Sequence, residues 1–369
     1  MSEAVAKKIV TTTNHSQRRM NRHTAFGSLM RYARLLGFGN VHTKVDEKTG
    51  LFAIVAIHNL NRGPAIGGCR MVHYATPEKA FEDAIRLGYM MSYKAAITNL
   101  PHGGAKAVLL KPRVIKDREA YFEKFGEFVQ ELGGNYITAV DSGTSPLEMD
   151  IIARKTRFVT CTSGSESAGD PSPLTALGVR RGMEAAVKFQ LQRDSLEGVR
   201  VAVQGVGHVG YSLIKDLHER GAIVTVADIN QAALERVVDE FKVNMVAADK
   251  IFDVEADVFA PNALGAVLNL NTINRLKVKV VAGAANNQLA HQKYGALLKD
   301  RGILYAPDFL INAGGLIHVA VIYDHGTLSR SIAQIEGIYD TVYEIFERGK
   351  RENLANNTIA EMMARERLK

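Results

Sequence analysis

The stretch VRVAVQGVGHVGYSLIKDLHERGAIVTVAD, residues 199–228, decides the fold. Residues 199–204 are a short run of mostly apolar, β-branched character, suited to a buried strand. Gly205-Val206-Gly207-His208-Val209-Gly210 then forms a G-x-G-x-x-G turn, and Tyr211–Glu219 carries apolar residues at helical spacing before Gly221. Ile223–Ala227 is a second strand, closed by Asp228, 18 residues after Gly210. A glycine turn alone is a weak signal; between a strand and a helix, with an acid closing the next strand, it is a dinucleotide fingerprint. The first glycine permits the tight turn, the second lets the backbone approach a pyrophosphate, and the third lets helix and strand pack closely. The helix start supplies unpaired N–H groups and partial positive charge for the phosphates. Asp228 is expected to accept from the ribose 2′-OH. No Lys or Arg stands in Ile229-Asn230-Gln231 to balance a 2′-phosphate, which favours NAD over NADP. Gly205 to Gly210, Asp228 and Ile229 are therefore the expected cofactor contacts.

Working outward, a helix is expected over 230–241, and short apolar strands at 257–260, 278–282 and 303–306, with helical segments between them. Such alternation implies a doubly wound parallel sheet. Upstream, TSGSESAGDPSPLT (162–175) is rich in Gly, Ser and Pro and marks a domain boundary, followed by a helix over 173–189. The first half predicts strands at 51–60, 105–110, 136–140 and 157–161, and helices at 26–36, 76–97 and 117–132. Thr76 with Pro77, and Ser145 with Pro146 and Glu148, carry helix-start chemistry. The last 40 residues are amphipathic and helical. The expectation is an α/β chain of two domains with a cleft between them. A substrate and oligomerisation domain would comprise 1–165 plus 330–369, with 1–24 a basic extension, and a Rossmann domain 166–329.

The chain has 369 residues, 46% apolar and 23% charged, which excludes collagen-like, disordered and disulfide-framework classes. Its net charge of +7 comes from 46 Lys and Arg against 39 Asp and Glu. Seven of those bases and one acid lie in residues 1–34, so the remaining body is nearly neutral. A neutral body argues against nucleic acid as partner, although the basic tail could tether an active enzyme to an anionic polymer or membrane. No apolar run approaches the ~20 residues a spanning helix needs, so no membrane partner is expected, and no secretory signal is seen. Cys69 and Cys161 sit in no metal-ligand or C-x-x-C spacing, which gives no metal site and suits a reducing cytoplasm.

Lys94 ends a long helix, and Lys106 follows Gly103-Gly104-Ala105, just before the apolar run 107–110. Most lysines are solvated, but one between a glycine turn and an apolar strand is poorly so. Burial and a second nearby ammonium lower a lysine's affinity for its proton, as a general base requires. Asp141 stands just past a strand, a place where an Asx-type turn competes with a catalytic role. NAD in one domain, with two lysines and an aspartate in the other, points to hydride transfer from a small molecule.

The blocks Pro64-Ala65-Ile66-Gly67-Gly68-Cys69-Arg70-Met71, Tyr93-Lys94-Ala95-Ala96, Gly103-Gly104-Ala105-Lys106 and Asp141-Ser142-Gly143-Thr144 resemble the glutamate/leucine/phenylalanine/valine dehydrogenase superfamily. So do Gly169-Asp170-Pro171-Ser172-Pro173-Leu174-Thr175, Val203-Gln204-Gly205-Val206-Gly207, 282–289 (AGAANNQL) and 311–316 (INAGGL). They occur in the family's order over residues 50–350, and the leucine dehydrogenase branch is the most similar. The resemblance implies reversible oxidative deamination of an L-amino acid to a 2-oxo acid and ammonia, in a homo-oligomer ranging from dimer to octamer. It implies that Lys94 binds the substrate carboxylate, that Lys106 activates water, and that Asp141 handles the amino group. Thr175, Asn286 and Asn287 would hold the nicotinamide end and the carboxylate, and the backbone at Gly67 and Gly68 would lie along the substrate.

Glutamate-specific relatives place a lysine before the paired glycines and a serine five positions past the later glycine pair; here these are Ile66 and Val319. A second carboxylate would be buried there without a partner, at a cost of several kcal/mol. A pocket of Ile66, Ala139, Leu316 and Val319 suits leucine, valine or isoleucine. Leu316, and Ala95 where leucine-specific members tend to carry Asn, keep an aromatic substrate (phenylalanine or tryptophan) as the alternative, because one methylene of pocket is worth only ~1–3 kcal/mol. A non-catalytic NAD-binding module is a further alternative; it predicts loss of Lys94, Lys106 or Asp141, and all three are present. The chain departs from the family at His318, where Asn is usual, at Asn262, where Cys is common, and at His102, expected to be a partly exposed loop residue able to titrate near neutral pH.

Overall fold

The computed structural model describes residues 29, 31–38, 40–164 and 168–369. The basic extension 1–24 and positions 165–167 of the expected boundary lie outside the described residues. The described residues divide into two compact units, one of those up to 92 with 103–159, the other of 93–102 with those from 160 to 369.

The first unit is built on a five-stranded sheet of order β1-β2-β4-β3-β5: Asn40–Asp46, Leu51–Asn59, Ala65–Val72 (β3), Gly103–Leu110 (β4) and Tyr136–Val140 (β5). β1 and β2 run antiparallel to their neighbours, whereas β3 is parallel to both β4 and β5. Neither β1 nor β3 was expected. β1 is an edge strand with no buried residue and so offers no apolar run. β3 is hidden by Gly67-Gly68, which resembles a loop signal but lies fully buried mid-strand.

Those glycines are required by close packing. A Cβ on Gly67 would lie 1.8 Å from the Ala105 carbonyl oxygen, and one on Gly68 2.5 Å from that of Val140. Helix α1 (residues 31–35) and α2 (Pro77–Ile97) cover one part of the sheet, through a core of Ala33, Ile54, Ala56, Ala80, Ala84, Ile85 and Val108. α3 (Arg118–Glu131) buries Tyr121, Phe122 and Phe125, with the Asp117 carboxylate accepting from the Ala120 N–H at its start. α4 (Pro146–Ala153) begins where Glu148 accepts from both the N–H and the hydroxyl of Ser145, at 2.7 and 2.6 Å. The strand expected at 157–161 is reduced to a single bridge, Thr138 to Val159.

The second unit holds a six-stranded, wholly parallel sheet of order β11-β10-β9-β6-β7-β8. Its strands are Arg200–Gln204 (β6), Ile223–Ala227 (β7), Asn244–Met245 (β8), Val258–Pro261 (β9), Val280–Val281 (β10) and Leu304–Tyr305 (β11). Counted from β6 this is the 3-2-1-4-5-6 order of dinucleotide-binding folds, with its switch point between β6 and β9. The connecting helices follow: α5 (Ser172–Leu191), α6 (His208–Glu219), α7 (Gln231–Phe241), α8 (Leu270–Arg275), α9 (Tyr294–Asp300) and α10 (Asp308–Ile311). Four C-terminal helices complete the unit: α11 (Gly314–Tyr323), α12 (Leu328–Glu336), α13 (Ile338–Glu352) and α14 (Asn356–Arg367). Residues 330–369 were expected to belong with the first domain. Instead α12 and α13 pack on α5, and α14 on α9 and β11, so they close the second unit.

Candidate active site

The glycine turn is built as its three glycines demand. Gly205 adopts φ +97°, a left-handed conformation, and a Cβ there would strike Ala263 at 2.9 Å. A Cβ on Gly210 would lie 2.1 Å from the Gly205 carbonyl oxygen, so only glycine lets α6 start this close to β6. At Gly207 a Cβ would meet nothing within 4 Å. The open space therefore sits at the second glycine, at the start of α6, where the helix dipole and unpaired N–H groups favour an anion. Asp228 closes the turn from β7: its carboxylate accepts from the Val206 N–H at 2.7 Å and the Asn230 N–H at 2.8 Å. Ile229 beside it is 93% exposed. His208 is exposed at the first turn of α6, and Val209 is half-buried there.

Asn262 explains its own departure from the family pattern. Its side chain donates to the Ala260 carbonyl at 3.0 Å and accepts from the Ala284 N–H at 2.7 Å, tying the end of β9 to the loop after β10. That loop, 283–288, is pinned from several sides. Buried Gln288 donates to the carbonyls of Gly283 and Ala285 at 2.6 and 3.0 Å. Asn312 donates to the Ala284 carbonyl at 3.0 Å and to the Asn286 Oδ1 at 2.8 Å. Asp308 accepts from the Gln288 N–H at 2.7 Å, and burial pushes its carboxyl pKa up. Lys94 reaches this network, its Nζ donating to Asn286 Oδ1 at 3.4 Å. Asn287 takes φ +53°, which Asn tolerates better than most residues. Asn312 and Asp308 were not expected as site residues. The block 311–316 held the clue to Asn312, but only the fold shows which side chain its amide meets.

Thr175 lies in the first turn of α5, its hydroxyl donating to the Pro171 carbonyl at 3.0 Å. Gly314 and Gly315 at the start of α11 face it; a Cβ on Gly315 would come within 2.6 Å of the Thr175 hydroxyl. Leu316 is half-buried and Val319 buried on α11. His318, on the same helix, is buried between Ser331 Oγ (3.0 Å) and the Ala168 carbonyl (2.9 Å), and burial lowers its pKa. His102 is not the partly exposed loop residue expected. It is 2% exposed, with Nε2 2.9 Å from the Asp324 carboxylate and its ring in a T-shaped contact with Tyr323.

In the first unit, strand register gathers the chemistry on one face. Ile66 pairs with Gly104 and with Ile137, and Gly68 with Ala139. The constant register of β3 against β4 sets Lys106 level with Gly68, and Asp141 lies two residues past Ala139. Gly68, Lys106, Ala139 and Asp141 thus point to the same side. Lys106 is 7% exposed, and its Nζ forms an ion pair with Asp141 Oδ2. The Asp141 Oδ1 accepts from the Ser142 N–H at 2.5 Å and lies 3.6 Å from an Arg70 Nη. Ile66 is wholly enclosed and Ala139 buried, while the Gly67 carbonyl accepts from the Tyr136 hydroxyl at 2.7 Å. The sequence had suggested a second ammonium as the neighbour of Lys106; the ion-pair partner the fold supplies is a carboxylate.

Burial alone would raise the Asp141 carboxyl, but Lys106, Arg70 and the Ser142 N–H hold it far below the usual carboxylate range. Because the folded state lowers this pKa, its stabilisation is complete above the unfolded value of about 4 and is lost as pH falls below it. Urea unfolding of the wild type and Asp141→Asn at pH 7 and pH 3 checks this: the wild type should lose more stability between the two pH values. Equal losses would refute it.

A family model for the "Glu/Leu/Phe/Val dehydrogenase, dimerisation domain" matches residues 38–158, and one for "Glutamate/Leucine/Phenylalanine/Valine dehydrogenase" matches 169–364. The chain is 51% identical to a leucine dehydrogenase of Thermoactinomyces intermedius over 325 residues, covering 88% of each chain. It is 47% identical to one of Geobacillus stearothermophilus over 343 residues, covering 92% of this chain and 93% of the other. Among solved structures, an L-tryptophan dehydrogenase from Nostoc punctiforme matches with TM-score 0.81 and 37% identity, over 92% of this chain and 98% of that one. With the dinucleotide turn, the buried lysine–aspartate pair and both halves matched, the chain belongs to the glutamate/leucine/phenylalanine/valine dehydrogenase family.

Proposed function

We propose that this protein is an NAD-dependent dehydrogenase of branched aliphatic L-amino acids, leucine foremost. The observation that carries the reading is the buried Lys106–Asp141 pair beside Gly68, in a chain about half identical to several leucine dehydrogenases and more distant from phenylalanine and tryptophan dehydrogenases. The net reaction takes the amino acid, NAD⁺ and water to the 2-oxo acid, ammonium, NADH and a proton.

NAD, when bound, supplies the acceptor for the Cα hydride. The glycine turn 205–210 and the start of α6 would hold its pyrophosphate, Asp228 its adenosine ribose, and exposed Ile229 would lie along its adenine. Thr175 and Asn286 would orient the nicotinamide end. The fit rests on the open cradle at Gly207 and on a carboxylate at the end of β7, which disfavours a 2′-phosphate.

Lys94 would bind the substrate α-carboxylate, with Asn287, the neighbour of the Asn286 that Lys94 contacts, to share it, and the backbone of Gly67 and Gly68 would lie along the substrate. Asp141 accepts a proton from the substrate ammonium, which frees the nitrogen lone pair that drives hydride departure. Lys106, after giving its own proton to solvent as the net proton of the reaction, takes one from the water that adds to the resulting iminium carbon; Asp141 returns its proton to the nitrogen, and ammonia leaves with the hydroxyl proton as ammonium. None of the residues expected at the side chain, Ile66, Ala139, Leu316 and Val319, can pair with a second carboxylate, which disfavours glutamate. The dimerisation-domain match supports a homo-oligomer. No helix among the described residues is long and apolar enough to cross a membrane; the cytoplasmic setting we propose rests on the two free cysteines.

An NADH-production assay of the purified protein against Leu, Val, Ile, Phe, Trp and Glu tests the substrate class. The expected order is Leu, Val and Ile well above Phe and Trp, with Glu at background. Phe or Trp ahead of Leu would replace the aliphatic reading with the aromatic one.

A further inference from the structure

We infer that Arg70 is a positioning residue for Asp141, locked in place by Asp83 and so holding the carboxylate turned toward Lys106. The inference rests on the role proposed above for the lysine–aspartate pair, and concerns residues that role does not include.

Asp141 meets Lys106 with one oxygen and Arg70 with the other, at 3.6 Å. Arg70 is the third-last residue of β3, two strand positions beyond Gly68, on the same face of the sheet. Its guanidinium is itself gripped from α2: Nη1 donates to Asp83 Oδ2 at 3.0 Å. Asp83 is fixed in turn by the Tyr74 hydroxyl at 2.7 Å and by Arg86 at 2.7 Å. The chain Arg86–Asp83–Arg70–Asp141–Lys106 alternates in sign, so each charge restrains the next. A planar guanidinium is suited to this bridge because it can face two carboxylates at once, which an ammonium on a flexible stem cannot do with the same geometry.

The charged and titratable groups around Asp141 come from every packed element. Lys106 lies on β4, Arg70 and the buried Cys69 thiol on β3, and Tyr136 on β5, while Asp83 acts through Arg70 from α2. The Cys69 thiol is pushed up to about 12 and the buried Tyr136 hydroxyl also upward, so both stay neutral at working pH. Two cations therefore face Asp141, and among the described residues it is Arg70 that a second carboxylate, Asp83, anchors. Without it, the Asp141 carboxylate keeps Lys106 and the Ser142 N–H but loses the second cation, so its χ1 and χ2 are less restrained. The proton it must accept from a substrate ammonium would then be met in a smaller fraction of encounters, which lowers kcat more than it changes binding.

The test uses the full-length enzyme with Arg70→Met, Arg70→Lys and Arg70→Gly. Two readouts are taken: leucine oxidation, and labelling of Asp141 by carbodiimide and glycinamide at pH 5, followed by peptide mass. Carbodiimide reacts with the protonated carboxyl, so this second readout needs no turnover. Arg70→Met should label at Asp141 at least five-fold faster than wild type, and its kcat should fall at least 30-fold with KM for leucine and NAD within three-fold. Arg70→Lys should recover a tenth or more of the lost kcat, and added guanidinium at millimolar concentration should raise turnover of Arg70→Gly but not of wild type. Unchanged labelling in Arg70→Met overturns the inference, whatever the activity. So does a kcat loss that neither lysine nor guanidinium repairs. A wild type that turns over no amino acid but shows the labelling difference would reject the proposed reaction and leave the Arg70–Asp141 relation standing.

Discussion

Lys106→Ala lowers kcat for leucine oxidation by roughly 10²–10⁴-fold, the usual contribution of a positioned acid–base group. NADH affinity, followed by its fluorescence, stays within two-fold, because Lys106 and the glycine turn belong to different compact units. The substitution also leaves Asp141 buried without its principal cation, and breaking such a pair costs roughly 3–5 kcal/mol of stability. Activity must therefore be read well below the variant's own melting temperature, with NADH binding reporting the folded fraction. A folded Lys106→Ala enzyme with more than a tenth of wild-type kcat would remove Lys106 from the chemistry.

The second large effect falls on stability. A Cβ at Gly104 would lie 1.9 Å from the Ser92 backbone nitrogen and 2.4 Å from its Cα. Both are backbone atoms of Ser92, which is fully buried on α2, so no side chain can swing away. Either the helix lifts from β4 or the strand bends, two residues before Lys106. Overpacking costs typically 1–3 kcal/mol and occasionally more; here, with backbone against backbone, about 3 kcal/mol or above is expected. Gly164→Ala is the control, since a Cβ there would meet nothing within 4 Å, and it should fall within about 0.5 kcal/mol of wild type. Urea midpoints compare the two, and a Gly104→Ala midpoint equal to the control's would refute the packing argument.

What the sequence exposed, and what it hid, follows from the range of the interactions concerned. The turn at 205–210 was legible because Gly205 and Gly210 answer local steric demands, Gly207 leaves open space between them, and the acid at 228 stands at a fixed distance along the chain. Lys106 and Asp141 were legible as a lysine beside paired glycines and an acid at a strand end. Their contact needs the register of three strands, which no local pattern encodes. β3 was missed because glycine in a strand looks like a break until one sees the Ala105 and Val140 carbonyls filling the space a Cβ would take. β1 was missed because an edge strand with no buried residue carries no apolar signal. Arg70 drew no reading of its own within the block 64–71, since its carboxylate partners, Asp83 and Asp141, stand on a helix and past a strand that only the fold brings to it. His102 looked like a loop residue because its partner, Asp324, is more than two hundred positions on. The tail 330–369 was amphipathic and so needed a surface to cover, but amphipathicity does not say which one.

The short excursion 93–102 has a consequence for shuffling genes between relatives. These ten residues are encoded in the first half of the chain yet belong to the second compact unit. There Tyr93 receives a hydrogen bond from Arg365, the Ile97 carbonyl one from Arg367, the Thr98 carbonyl one from Gln334, and His102 meets Asp324. A chimera joined at a single crossover near residue 160 would pair one parent's excursion with the other parent's α12 and α14. All four contacts would then cross between parents. Exchanging the cofactor-binding half cleanly takes three crossovers, near 92, 103 and 160, so that the ten-residue insert travels with the helices that grip it.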